Sequence, residues 1–450
     1  MVTSGPSGQS YRRPRILVEC TTTHTYGGNS GIQRVVRNVV NNAHDVGEEL
    51  SVRVQPVLWS KGRFLSVEGM SIRGCMTGRF LRIARRAAKT LAAVVRLLLV
   101  PALHLPRRRR TLPQGRACSA TRVARSSFSA LSDMLLKLSH REIELQEGDI
   151  LLLLDSSWHC PFWEDVRKAK RAGVRVGVVI YDLIPVHLPE TCDATLVHIF
   201  RKWLNSAVRE ADFFIAISQC VRDDFLSWIQ AQGHRDQRDL PAAHFRLGAE
   251  LDKSADGGLV TEEIRRLFGG PRTANAYLTV GTVEPRKKHA YLLDAFELAW
   301  SQQSEAILVI VGRIGWRTQD LIHRIRTHAQ WQKHLFMFND LSDTELAFCY
   351  ANAKAAILPS SYEGFGLPVV EALAHGCPVL ASNICAHKEV GGDHCAYFDL
   401  TVPSSLANLI SRFERTGLLP IKSPASEFTW PDWRQSTREL IEATMAIAQS

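Results

Sequence analysis

Short apolar runs bounded by turn residues recur along this chain, each followed by a stretch with helical spacing, and that alternation restricts the fold more than any other feature. A first series of runs lies at 16–19, 150–154, 174–181 and 213–217, and a second at 277–280, 306–311, 334–338, 355–358 and 378–381. Runs of four to eight residues rich in Val, Ile, Leu and Phe predict buried strands. Strands separated by helices cannot pair as hairpins, so they line up in parallel with helices on both faces of the sheet. A chain of 450 residues is too long for one ordinary core. The two series therefore predict two doubly wound α/β domains, 1–250 and 259–430, joined through the polar, glycine-containing stretch 248–258. A last helix from about Trp433 to Ala448, within 431–450, has no strand after it and is free to pack on an apolar face.

The first series is interrupted by an insert, 69–132, that carries the net charge. Fourteen Lys and Arg and no acid lie between Glu68 and Asp133, so the formal charge of +10 becomes −4 without it. Within it, 80–100 places arginines three or four apart among Leu, Ile, Val and Ala, a basic amphipathic pattern suited to an anionic membrane surface. Arg96 breaks an apolar run already too short to span a bilayer. The insert lacks the interleaved aromatics that stack on bases, so no nucleic acid partner is expected. The opening residues have no basic segment followed by an apolar core, and none of the ten cysteines is paired at a metal or redox spacing. A cytoplasmic protein with reduced, mostly buried thiols is expected, peripheral on the inner face of the plasma membrane.

Two blocks carry chemistry. Residues 360–373, Ser-Ser-Tyr-Glu-Gly-Phe-Gly-Leu-Pro-Val-Val-Glu-Ala-Leu, follow a predicted strand at the sheet edge where such folds bind ligands. Gly364 and Gly366 permit close backbone approach, and Pro368 suits the first turn of a helix whose amino terminus attracts an anion. Glu363 in the loop is placed to reach a hexose, and Glu371, in the helix, to reach a ribose. The second block, 280–289, sets Gly281, Arg286 and Lys287 at another strand end. A guanidinium and an ammonium there offset the charge that builds on a departing diphosphate. No Asp-X-Asp pair occurs, so the expectation is that no metal neutralises that charge. Near the amino end, Tyr26 to Gly31 reads as a phosphate-compatible loop between strand and helix. His24 and His187 read as structural histidines, and Trp430 and Trp433 as packing anchors for the last helix. Asp182 either binds acceptor hydroxyls or caps the turn before Pro185.

The pair Glu363 and Glu371 with Gly364-Phe365-Gly366-Leu367-Pro368 between them, together with Gly281-Thr282-Val283-Glu284-Pro285-Arg286-Lys287, resembles glycosyltransferase family 4, the retaining family of the GT-B fold. Gly31-Ile32-Gln33-Arg34 and Tyr181-Asp182-Leu183-Ile184-Pro185 resemble segments of bacterial mannosyl- and rhamnosyltransferases that build O-antigens and exopolysaccharides. The resemblance spans nearly the whole chain except the insert. It implies two Rossmann-like domains facing across a cleft, donor on the second and acceptor on the first, with the last helix crossing back to the first. It implies hexose transfer, mannose preferred, from a nucleotide diphosphate sugar to a lipid-linked or growing saccharide. No cofactor is implied, and the leaving phosphate helps deprotonate the acceptor. Carried over residue by residue, Glu363, Arg286 and Lys287 are catalytic. Gly27, Gly28, Gly281, Gly364, Phe365, Gly366, Leu367 and Glu371 bind donor, and Arg34, Tyr181 and Asp182 bind acceptor. The chain departs from many relatives at Tyr181, where they carry histidine, and at Lys288, where they carry asparagine. A different GT-B enzyme such as a nucleotide-sugar epimerase, or a non-enzymatic membrane-associated assembly factor, are the alternatives.

Overall fold

The computed structural model describes residues 13–70, 140–233, 240–251, 259–269 and 275–449. Most of the basic insert and most of the expected domain join, 71–139 and 252–258, lie outside the described residues.

Among the described residues, fourteen strands form two sheets. The first runs β4 (Glu142–Ile143), β3 (Arg63–Ser66), β2 (Arg53–Ser60), β1 (Arg15–Glu19), β5 (Ile150–Leu153), β6 (Arg175–Ile180), β7 (Phe213–Ala216) and β8 (Ala242–His244). The second runs β11 (Leu335–Phe338), β10 (Ile307–Val311), β9 (Ala276–Val280), β12 (Ala355–Leu358), β13 (Val379–Ser382) and β14 (Cys395–Phe398). The second sheet is parallel throughout, with Ile310 opposite Thr279 and Leu358 opposite Ala381. The expected join separates β8 from β9, whereas the chain divides into compact units at 1–177 and 178–450.

In the first unit, β1 is buried at every position and pairs in parallel with β2 and β5. After β1 comes a short helix, α1 (Thr21–Tyr26), built from residues that favour strands. Buried carboxylates hold it: Glu19 accepts from Thr21 N at 2.8 Å, and Asp155 accepts from Thr23 N at 2.6 Å and Thr23 Oγ1 at 2.9 Å. These bonds satisfy amide groups that a helix start leaves without partners. Then α2 (Gly31–Glu49) begins with a capping box, Ser30 accepting from Gln33 N while the Gln33 side chain accepts from Ser30 N.

In the second unit, α3 (His289–Ser301) and α4 (Pro403–Thr416) cover one face of the six-stranded sheet. Leu292, Leu293 and Phe296 meet Leu406, Ile410 and Phe413 in one core cluster. The last helix, α5 (Trp433–Gln449), packs on β7 and β8, strands of the first sheet. Trp433 Nε1 donates to Glu250 O, Ser436 Oγ to Arg246 O, and Trp430 Nε1 to Leu247 O, so both tryptophans anchor this helix as read from the sequence.

One expectation is corrected. Cys220 and Cys385, with Cα atoms 6.0 Å apart, form a disulfide. Two helix starts meet at that point, bringing together residues 165 apart in the chain. Cys20, Cys192, Cys349, Cys377 and Cys395 are buried thiols and Cys160 is half-buried.

Candidate active site

The site in the second unit is built on the carboxyl ends of β9 and β12. After β9 the chain makes a single turn, Pro285–Lys287, and Lys288 in the left-handed region (φ 52°) opens α3. After β12, residues 359–366 form a loop ending at Gly366 (φ 109°), where a side chain would be strained. Helix α6 (Leu367–Ala374) starts there with no side chain capping it. Backbone joins the two loops, since Arg286 O accepts from Ser361 N at 2.8 Å and Ser361 Oγ at 3.1 Å.

This junction brings the three expected catalytic side chains into one cluster. Arg286 Nη1 donates to Glu363 Oε2 at 2.8 Å and to Tyr362 O at 3.0 Å, and Lys287 Nζ pairs with Glu363 Oε1. Glu284, buried and not anticipated from the sequence, takes the other arm of the fork, Arg286 Nη2 to Glu284 Oε1 at 2.7 Å. A guanidinium held between two carboxylates is fixed in plane, which a lysine could not reproduce. Burial alone would raise the Glu363 carboxyl, but Arg286 and then Lys287 outweigh it and hold it well below the usual carboxylate range. Burial works against the charged Arg286 too, and Glu363, Glu284 and Asp182 more than restore it. The result is an ionised carboxylate between fixed cations.

The glycines make this packing possible. A Cβ on Gly364 would stand 2.1 Å from Tyr181 O and 3.2 Å from Asp182 Cβ. The segment after β6 therefore lies directly on the loop after β12, and Ser218 Oγ donates to Gly364 O at 2.7 Å beside it. Tyr181 is buried, and Asp182 Oδ1 accepts from Ile184 N at 3.0 Å, the capping role among its two readings. Desolvation raises the Asp182 carboxyl, with Arg286 opposing.

Other expected residues sit differently. Gly281 follows β9 and lies near the Lys287 stem. Phe365 is buried with its ring edge-on to Trp430, so the ring serves packing. Glu371 is buried within α6, and Tyr350 donates to its Oε2 at 3.0 Å. Leu367 is half-buried at the start of α6. Beneath the loop, His387 meets Ser382 Oγ at 3.0 Å, and burial, opposed by Glu363 and aided by Lys287, lowers its pKa to about 4, leaving it neutral.

Gly27, Gly28 and Arg34 belong to the first unit. Gly27 ends α1, and the expected phosphate loop is tied to the helix after it. Gln33 Nε2 donates to Gly27 O at 2.6 Å, Arg37 Nη1 to Gly28 O at 2.9 Å and Arg37 Nη2 to Asn29 Oδ1 at 2.8 Å. Arg34 is buried on α2. Among the described residues no His, Cys, Asp or Glu group is arranged to hold a metal ion, and no helix is long and apolar enough to cross a membrane.

Residues 260–418 match the family described as glycosyl transferases group 1. The serotype-specific mannosyltransferase WbdA of Escherichia coli is 31% identical over 306 residues, 67% of this chain and 38% of that protein. The O-antigen chain mannosyltransferase B of Escherichia coli is 37% identical over 119 residues, 26% of this chain and 30% of that one. The chain thus spans little more than a third of the first of these relatives and less than a third of the second. Among solved structures, Anabaena HepE in complex with UDP and glucose aligns with a TM-score of 0.52 at 16% identity, over 96% of this chain and 98% of that one. Sucrose-phosphate synthase from Thermosynechococcus elongatus gives 0.52 at 14% identity, over 97% and 95%. The fold is theirs, the GT-B arrangement of two α/β sheets expected from the sequence.

Proposed function

We propose that this chain, whose residues 260–418 match the group 1 glycosyl transferases, is a retaining glycosyltransferase. It moves a hexose, mannose by preference, from a nucleotide diphosphate sugar to a lipid-linked or growing saccharide of a cell-surface polysaccharide. The observation that carries the reading is the convergence of Arg286 and Lys287 on Glu363 beside the glycine-opened start of α6. The names of its relatives, a serotype-specific mannosyltransferase and an O-antigen chain mannosyltransferase, favour mannose.

Each group has a task in that reading. An ionised Glu363 only accepts hydrogen bonds, so it suits vicinal sugar hydroxyls. Lys287 spends one of its three donors on Glu363 and keeps the others for phosphate oxygens, while Arg286, held by Glu284 and Tyr362 O, supplies a fixed charge beside them. The amides at the head of α6 add a partial positive charge, so the diphosphate is stabilised as it leaves without a metal ion. In the same reading Glu371 holds the ribose, Gly281, Gly364, Gly366 and Leu367 offer backbone to the donor, and Gly27 and Gly28 also bind it. Arg34, Tyr181 and, beyond its turn cap, Asp182 contribute to acceptor binding. The residues 1–250 and 259–430 act as acceptor and donor domains, and the basic insert holds the enzyme on the anionic inner face of the plasma membrane.

The test is a transfer assay across a panel of nucleotide diphosphate sugars with saccharide acceptors. The expected result is turnover with one donor, lowered roughly 10²- to 10³-fold in Lys287→Ala and abolished in Glu363→Gln, with the melting transition of both proteins preserved. Turnover equal to wild type in both variants would remove the mechanism. Flotation with anionic liposomes, with and without residues 69–132, tests the membrane role.

A further inference from the structure

Two partly exposed side chains that the proposed chemistry has not used meet the short stretch 187–191, His187 from within it and Trp316 by bonding to its far end. The loop after β10 is fastened to the strip leading to Arg286: Gly281 N donates to Val311 O, Val283 N to Arg313 O and Gly315 N to Val283 O, at 2.8–2.9 Å. From this loop Trp316 Nε1 donates to Thr191 O, and Arg317 donates to Glu190 O. The indole is therefore fixed by its only donor, yet 43% of the residue remains exposed, with Ile314 beside it at 42%. A pinned indole with its ring open is a ready flat surface. Large exposed apolar side chains are few among the described residues.

At the other end of the stretch 187–191, whose carbonyls at 190 and 191 accept these bonds, stands His187. Its Nε2 lies 2.9 and 3.1 Å from the two oxygens of Asp224, and Tyr362, the residue before Glu363, donates its hydroxyl to the same carboxylate. The His187 and Tyr362 rings are 5.8 Å apart. A carboxylate on Nε2 holds that nitrogen as the N–H and fixes the orientation of the ring. The His187 side chain is 36% exposed, so the oriented ring is within reach of a ligand.

We propose that Trp316 and His187 form an additional acceptor subsite, contributed from both the 1–250 and the 259–430 stretches, the indole taking the apolar C–H face of a pyranose ring and the His187 ring meeting one of its hydroxyls. The assignment rests on the glycosyltransferase reading above, which it deepens by making the acceptor a saccharide. One amphipathic aromatic surface with a single oriented polar group is how a site selects a ligand that is apolar on one face and hydroxylated at its edge. Tyr362 couples the subsite to the transfer centre, because its hydroxyl meets Asp224 while its carbonyl accepts from Arg286. His187 and Trp316 act by binding acceptor and leave the leaving group to Arg286 and Lys287.

The experiment measures two constants on the full chain: the Kd for nucleoside diphosphates by calorimetry, and the acceptor KM with methyl α-mannopyranoside and α-linked mannobiose at saturating donor. Trp316→Ala and His187→Asn are expected to raise the acceptor KM at least tenfold, with the nucleoside diphosphate Kd within twofold of wild type. Trp316→Phe, which keeps a ring, should recover most of the loss, and this separates stacking from a folding defect. An unchanged acceptor KM in Trp316→Ala and His187→Asn overturns the subsite. So does a wild type that binds nucleoside diphosphate and transfers to neither saccharide. A wild type that binds no nucleoside diphosphate overturns the broader reading instead.

Discussion

Replacing Gly364 by alanine tests how tightly the transfer centre is fixed. The new Cβ would sit 2.1 Å from Tyr181 O, where real contacts stay beyond 3.0 Å, so something must yield by about 0.9 Å. Backbone flanks the site, and Asp182 Cβ at 3.2 Å closes the neighbouring direction. If the loop moves, it pulls Gly364 O from Ser218 Oγ, now at 2.7 Å, and Glu363 from Arg286, now at 2.8 Å. Overpacking of this kind costs about 1–3 kcal/mol of stability. A displacement near 1 Å beside reacting groups costs roughly 10²-fold in rate, about 2.7 kcal/mol of barrier. Urea unfolding and kcat/KM for transfer measure both. Gly376→Ala is the control: its φ of 72° gives a conformational penalty of about 1–2 kcal/mol, yet nothing lies within 4 Å of its Cβ, so it loses stability and keeps its rate. Wild-type kcat/KM in Gly364→Ala would refute the close approach of the two segments.

Three further outcomes follow from other parts of the molecule. Burial and then Asp155 push the Glu19 carboxyl from 4.5 up to about 7, so the folded chain binds more protons than the unfolded one in that interval; stability falls as pH rises through it, Glu19→Gln flattens the profile, and urea midpoints from pH 4 to 8 with the same slope in both proteins would contradict this. Ser30→Ala removes a capping box and should cost about 1 kcal/mol, seen as a lower urea midpoint, whereas an unchanged midpoint would mean that the Gly27–Gly28 turn does not depend on the cap. Reductant should lower stability by about 2–4 kcal/mol through the Cys220–Cys385 bond, and a transition insensitive to reductant, or equal in Cys220→Ser, would show the bond carries no load.

Much of the second sheet was legible because its strands are continuous apolar runs, and Ala355–Leu358 stands where its run predicts. The strands Arg53–Ser60 and Arg63–Ser66 were not foreseen, since Gln55 and Pro56 interrupt the first and an antiparallel edge breaks the parallel pattern. Helix Thr21–Tyr26 was hidden for the opposite reason: its threonines favour strands, and the carboxylates that hold it lie on Glu19 and, far along the chain, Asp155. At the candidate site, spacing located Glu363, Arg286 and Lys287, whereas Glu284 was read only as part of a motif. Its role as the second clamp on Arg286 depends on a local turn that no spacing displays. Asp224 carried no sequence signal at all, because its partners His187 and Tyr362 lie 37 and 138 residues away.

The central claim is that the ammonium of Lys287, poised on Glu363, grips the diphosphate of a nucleotide sugar. Calorimetric titration of wild type and Lys287→Met with nucleoside diphosphates, and with the matching nucleoside, tests it most directly. The account predicts that the diphosphate binds wild type and loses at least tenfold in affinity in the variant, while the nucleoside binds both alike. Equal diphosphate affinity in the two proteins would contradict it.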